Sequence, residues 1–280
     1  MGNHFAAFSF VDRITGFTPG VRARGQFAVP ALLPAFPSCL VAEAVGQLAA
    51  WVAMVQVDFR GRPIAALARE MRFDGDVAPG AVLELAVEID SCDDEAVAYA
   101  GRAMSGDVLA VELLDCLGPM LPVTEFDSPE ALAARFELLR GPGAPPGRFH
   151  GVPVQEIVRG PGVRGERLAA MLRVPAVAPF FADHFPRRPV FPATLLLDAQ
   201  IDLALQLAAE APDLPTGTQP AAVRIMHMKM RSFISPGEVL TLDAQRAPTG
   251  GGAGQIMLTA RANGKAVSSA RLEYAPRRVA

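Results

Sequence analysis

The chain is predicted to be an α+β protein built from two tandem copies of one unit, each a long central helix wrapped by an antiparallel sheet. Three observations carry that expectation. The first is a repeat: Pro34, Phe36, Pro37 and Glu43 recur as Pro189, Phe191, Pro192 and Asp198 at a constant offset of 155. Farther on, Arg72 and Pro79-Gly80 match Lys229 and Pro236-Gly237 at 157, and Gly106-Asp107-Val108 matches Gly264-Lys265-Ala266 at 158. Steady offsets of this kind mark a duplicated unit with small insertions. The second is a long apolar stretch behind each repeated proline, free of further prolines for several helical turns. The third is that each stretch is followed by short alternating segments with Pro-Gly or Gly-Asp punctuation, the pattern of antiparallel strands. The units are expected at 1–125 and 150–280, with 126–149 as a linker carrying a short helix, and with helices at about 38–57 and 193–210 side by side on a shared sheet.

In chain order, a turn at Thr18-Pro19-Gly20 precedes a predicted strand over 21–29. Residues 40–57 are apolar enough to raise a membrane span. They contain Glu43, Gly46, Gln47 and Gln56, and are read as the buried helix of a soluble protein. Its apolar residues lie all round, so Glu43 is expected to be buried and therefore paired, hydrogen-bonded or neutral; it also suits a cap, since helix starts favour acids. Ser128-Pro129-Glu130 predicts a helix start, with end near Arg140 and a Gly/Pro linker at 141–147. Prolines 186, 189 and 192 make residues 180–191 a stiff irregular loop presenting His184, and a helix follows with Asp198 in its second turn. By residue type alone, His184 reads equally as a satisfied loop histidine and Asp198 as a solvated helix residue. The strands before the helices align at 145 (Ala28-Val29-Pro30 on Arg173-Val174-Pro175), so the first copy lacks about ten residues of that loop, and Val29 stands where His184 does. The glycine-rich stretch 248–254 precedes no helix and is not read as a phosphate cradle.

A formal charge of −3 gives no general attraction to nucleic acid or anionic membranes. Cys39, Cys92 and Cys116 lack metal-ligand spacing and are odd in number, so no metal site and a reduced, cytoplasmic setting are expected. The first residues lack the basic and apolar regions of a signal peptide. Cys39, at a helix start, is a small buried residue or a thiol with a lowered pKa. His4 is placed in a frayed terminus, His150 at the linker and His227 on a strand, none with a catalytic role.

His184-Phe185-Pro186, Pro189-Val190, Pro192 and a carboxylate fourteen positions after the histidine resemble the active-site segment of the beta-hydroxyacyl-[acyl-carrier-protein] dehydratases, and Phe8-Ser9-Phe10-Val11-Asp12-Arg13 resembles the opening of a family member. Two positions depart: the family usually has glycine at Arg187, and Pro-Gly where this chain has Pro192-Ala193. The resemblance implies a hotdog fold, here a double hotdog in which the two copies form an internal pseudo-dimer; further homo-oligomerisation is left open. It also implies that histidine and carboxylate come from opposite units, pairing His184 with Glu43 and leaving Asp198 at a site without histidine. The implied reaction is removal of water from a 3-hydroxyacyl thioester on an acyl carrier protein or coenzyme A, with no cofactor. His184 would act as base and Glu43 as acid, with substrate contacts at Ser38, Phe191, Pro192, Ala193 and Asp198. A backbone N–H near Ser38 or Ala193 would hold the enolate-like oxygen, and Arg187 and Arg188 would dock an acidic carrier protein. The alternatives are a hotdog acyl thioesterase and a non-catalytic acyl-binding subunit.

Overall fold

Alternation of apolar and polar residues builds the strands. In β2 (Arg22–Ala28) Ala23 and Phe27 point inward, and in β5 (Val82–Cys92) Leu83, Leu85 and Val87 do the same. The computed structural model describes residues 4–74, 77–211, 214–247 and 254–278; all but the last residue of the glycine-rich stretch 248–254 lies outside them. The first half comprises β1 (Arg13–Thr18), β2, α1 (Ser38–Gln56), β3 (Gly61–Pro63), β4 (Leu67–Phe73), β5, β6 (Ala96–Ser105) and β7 (Val108–Pro122). After α2 (Pro129–Arg140), the second half comprises β8 (Glu156–Val163), β9 (Arg167–Arg173), α3 (Ala193–Ala209), β10 (Thr218–Met230), β11 (Val239–Arg246), β12 (Gly254–Ala262) and β13 (Lys265–Arg278).

The strands form one antiparallel sheet in the order β1-β2-β5-β6-β7-β4-β10-β13-β12-β11-β9-β8, with β3 paired to β7. Read inward from either edge, the two halves have the same order and meet where β4 pairs with β10, Glu70 opposite Met226. Glu70 reinforces that seam: it accepts from Arg72 Nε at 2.7 Å and Arg224 Nη1 at 3.4 Å, and Arg224 Nη2 reaches Glu273 at 3.0 Å. The strand pairs Ser105–Val108 and Ala262–Lys265 place the last hairpins at an offset of 157 rather than 158. Gly106 therefore corresponds to Asn263, and both have positive φ, as a tight two-residue hairpin requires.

Helix α1 packs on the strands of the first half, α3 on those of the second, and the two helices touch each other. Each starts on a proline N-cap of matching geometry, Pro37 (φ −59°, ψ 147°) and Pro192 (φ −59°, ψ 132°). Helix α1 is long and apolar enough to cross a membrane by composition, yet two thirds of it is buried inside the fold. It is not enclosed all round as its sequence suggests: Glu43, Gly46, Gln47 and Ala50 share a half-buried stripe, because residues three and four apart face the same way and this stripe borders a cavity. Nine residues separate β2 from α1 and nineteen separate β9 from α3. Ser128 caps α2 by accepting from Ala131 N at 3.2 Å, and the segment behind α2 is tied down rather than loose, since Ala144 N donates to Asp12 O at 2.7 Å and Phe149 sits in the core against Phe10.

Candidate active site

The extra ten residues of the second half form the loop that carries His184. A single 3-10 turn, Pro179–Ala182, buries Phe180 and Phe181 and then reverses the chain, with His184 N donating to Phe180 O at 2.9 Å. Val190 N donates back to His184 O at 2.9 Å, and Phe191 N to Ile234 O at 2.8 Å. The loop is thus pinned by its own backbone, as its prolines require.

The imidazole of His184 is oriented by Val190 O, 2.8 Å from Nδ1. A carbonyl only accepts, so Nδ1 carries the proton and the Nε2 lone pair is free. The ring stacks on Phe185 at 4.1 Å and takes the edge of Phe8 at 5.8 Å. Loss of water around it pushes its pKa below the ordinary value, opposed by Glu43 and the Val190 carbonyl and reinforced by the Arg62 guanidinium. The resting imidazole is therefore neutral at neutral pH.

Glu43 comes from α1, in the other half, and lines the same cavity of about 390 Å3 as His184. Oε2 accepts from Thr194 Oγ1 at 2.8 Å, and Oε1 accepts from Gln47 Nε2 at 3.1 Å. Gln47 is itself fixed by Phe8 O (2.9 Å) and Phe10 N (2.8 Å). Ala193 and Phe191 also line the cavity, whereas Ser38 and Pro192 do not. Of the two helix starts considered for an oxyanion contact, the one at the cavity is therefore that of α3, where the first N–H groups have no partner within the helix.

A family profile described as ApeI-like, ApeI dehydratase, matches residues 162–271, the half that carries His184. The 3-hydroxyacyl-[acyl-carrier-protein] dehydratase FabZ of Ruminiclostridium cellulolyticum is 30% identical over 111 residues, which cover 40% of this chain and 78% of the relative. The chain belongs to the 3-hydroxyacyl-[acyl-carrier-protein] dehydratase family. The enzyme of the same name from Granulibacter bethesdensis is 32% identical over 111 residues, covering 39% of this chain and 64% of that one. In fold, the crystal structure of a putative oleoyl thioesterase from Lactobacillus plantarum superposes with a TM-score of 0.60 at 10% identity, over 93% of this chain and 98% of that one. The fold is a hotdog α+β fold.

In this dehydratase-family chain Asp198 lies off the cavity that His184 and Glu43 line. Asp198 bonds Cys39 across the helices instead, with Asp202 one turn away, and burial together with the Asp202 charge pushes its pKa up to about 6. Cys39 has the opposite of an activated thiol, since burial and Asp198 push its pKa well above the ordinary value. Arg187 and Arg188 are exposed but not merely solvated: Arg187 Nη1 donates to Thr124 O at 3.1 Å, and Arg188 pairs with Glu125 at 2.8 Å and lies over the Phe233 ring at 4.5 Å. His4 is held by Asp127 at 3.1 Å rather than frayed.

Several residues at the site escaped sequence reasoning. Buried Asp183 accepts from the N–H groups of Phe5 and Phe8 (the latter at 2.7 Å) and from Ser9 Oγ at 3.0 Å, strapping the chain's start across the cavity. Arg62 lines the cavity, stacks on Phe185 at 4.3 Å and is lowered to about 10 by burial. The signal for Asp183 was its place beside His184; Thr194 was visible as the residue matching Cys39 at offset 155. Arg62 had no signal in the sequence.

Proposed function

We propose that this protein removes water from 3-hydroxyacyl thioesters, giving trans-2-enoyl thioesters, in fatty acid or polyene-type synthesis. Its architecture is taken as a double hotdog, with units at 1–125 and 150–280 bridged by 126–149, and with one working site. The observation that carries the reading is a neutral imidazole with its Nε2 free, lining the same cavity as a carboxyl group from the opposite half.

In that reading His184 Nε2 takes the proton alpha to the thioester carbonyl. The electron pair forms the C2–C3 double bond as the C3–O bond breaks, passing through an enolate-like oxygen that the N–H of Ala193 stabilises. Glu43, held by Thr194 and Gln47, gives a proton to the departing hydroxyl, which leaves as water. A proton then returns from His184 to Glu43 through solvent, and the reverse sequence hydrates an enoyl thioester. No step needs a metal or organic cofactor. Substrate arrives on an acyl carrier protein or coenzyme A, and Arg187 and Arg188, exposed on the loop behind His184, are the proposed contacts for an acidic carrier.

The test is to supply 3-hydroxyacyl and saturated acyl thioesters to the purified protein. Enoyl product from the first, with no thiol released from the second, is expected. Thiol release would make the protein a thioesterase, and binding without either product would make it an acyl-binding subunit.

A further inference from the structure

Arg62 has no part in the reaction steps proposed above, yet it lines the same cavity as His184 and Glu43. It comes from β3, where it pairs with Leu121 of β7, and only 17% of its side chain is accessible. Its one side-chain hydrogen bond among the described residues is long, Nη1 to Asp127 Oδ2 at 3.5 Å. Asp127 is held more closely by Ser128 N at 2.8 Å and by His4 at 3.1 Å. A buried charge so loosely paired is costly unless something else at the site uses it.

The neighbouring ring shows what that is. Arg62 Cζ lies 4.3 Å from the centre of the Phe185 ring, and the His184 ring stacks on that same ring at 4.1 Å. The guanidinium is therefore no farther from the imidazole than those two distances laid end to end. Phe185 is itself fixed, buried and edge-on to Phe126 at 5.1 Å, so the separation of the two groups is fixed as well. A positive charge at that range disfavours a second one on the imidazole, whereas Glu43 favours it. The other charged groups of the His184 loop are engaged elsewhere: Asp183 accepts from Phe5 N, Phe8 N and Ser9 Oγ, and Arg187 and Arg188 are bonded to Thr124 O and Glu125. The half that faces no histidine differs at this point. At the offset of 157 that relates Arg72 to Lys229 and Pro63 to Pro220, Arg62 corresponds to the neutral Gln219.

We propose that Arg62 is a positioning residue that acts through His184: set against the shared Phe185 ring, its guanidinium opposes the pull of the Glu43 carboxyl group on a proton and keeps His184 Nε2 open as a base. This rests on the base role proposed for His184. An arginine suits the place because a guanidinium packs on an aromatic face and keeps its charge at neutral pH even with its pKa lowered to about 10.

The test is an NMR titration of the His184 Cε1–H signal in the full chain, assigned by its loss in His184→Ala, together with kcat/KM against pH on a 3-hydroxyacyl thioester. Arg62→Gln keeps a donor for Asp127 and removes the charge; Arg62→Lys keeps the charge and removes the planar group. In Arg62→Gln the His184 pKa should rise by about one unit, about a tenfold gain in proton affinity, and the acid limb should move up with it. Above about pH 8 the rate should stay within about threefold of the unsubstituted protein's. Arg62→Lys should leave both the pKa and the limb in place. A His184 pKa that moves by less than about 0.3 unit in Arg62→Gln, an equal rise in Arg62→Lys, or an equal loss of rate at every pH overturns the proposal. If Arg62→Gln does not fold, Arg62→Met takes its place, and failure of both to fold overturns it by making Arg62 a structural tie. The titration reads His184 whether or not any substrate is turned over. A raised pKa with no enoyl product from any variant keeps the hold of Arg62 on the imidazole and removes the dehydratase, whereas an unmoved pKa in an active dehydratase removes the role of Arg62 alone.

Discussion

The carboxylates Glu43 and Asp198 occupy the same turn of equivalent helices, and each is bonded from the start of the opposite helix, Glu43 by Thr194 and Asp198 by Cys39. Their surroundings then part. Glu43 has the amide of Gln47 one turn on, donating to it, while Asp198 has the acid Asp202 at that place. Glu43 shares a cavity with an imidazole; Asp198 stands behind a connection ten residues shorter that carries no histidine. The comparison teaches that equivalent helices can supply equivalent positions, and that loop length and one neighbour on the helix give those positions different surroundings.

The largest expected effect breaks the comparison at its centre. His184→Ala or Glu43→Gln should lower kcat by about a hundredfold to ten-thousandfold, whereas Asp198→Asn should leave most turnover in place. An essential Asp198 with a dispensable Glu43 would reverse the roles given to the two ends. Next is the cross-helix donor. Thr194→Val removes a hydrogen bond that fixes the Glu43 carboxyl group, so kcat should fall about tenfold, with Thr194→Ser restoring it; Cys39→Ser at the twin position should cost little turnover.

Protonation sharpens the contrast. The folded pKa of His184 is lowered, so its contribution to stability is present above about pH 6.5 and is lost as pH falls through the folded value. The acid limb of kcat/KM should accordingly lie below pH 6.5. Asp198 runs the other way: raised from 3.8 to about 6, it contributes stability below pH 3.8 that is lost as pH rises through 6. Asp198→Asn should therefore raise Tm by a few degrees at pH 8 and by less at pH 5, read by thermal denaturation. An equal shift at both pH values would mean that the carboxylate is not strained by its setting.

The smallest effect concerns the loop surface. Arg187→Glu with Arg188→Glu should weaken turnover of carrier-protein substrate at low salt and much less at high salt, with little change on coenzyme A substrate. Equal losses on both substrates would assign the arginines to holding the loop on Thr124 and Glu125 instead.

What could be read from the chain was what lies close in sequence. Proline caps, the His-Phe-Pro loop, the carboxylate spacing and the turn signals are local, and both helices end within a residue of expectation at each terminus. The hairpin slip from 158 to 157 has a local cause too, since Gly264 drew the alignment although Asn263, which like Gly264 has positive φ, is the residue in register with Gly106. Contacts across the fold were not readable. Nothing near Arg62 announces Phe185, nothing near Phe5 and Phe8 announces Asp183, and the half-exposure of Glu43 depends on a cavity formed by strands far along the chain.

The covalent join through α2 has a consequence for assembly. Were the halves free to associate as separate chains, like would also meet like. Two first halves would bring together two glutamates and no histidine, and two second halves would bring histidine to aspartate. Under the proposed function, only the mixed pair brings His184 and Glu43 to one cavity. A tether holds the two partners at high effective concentration and fixes their ratio at one to one. The second carboxylate, released from any need to work with a histidine of its own, can then drift toward the half-buried setting of Asp198, with its pKa pushed up to about 6.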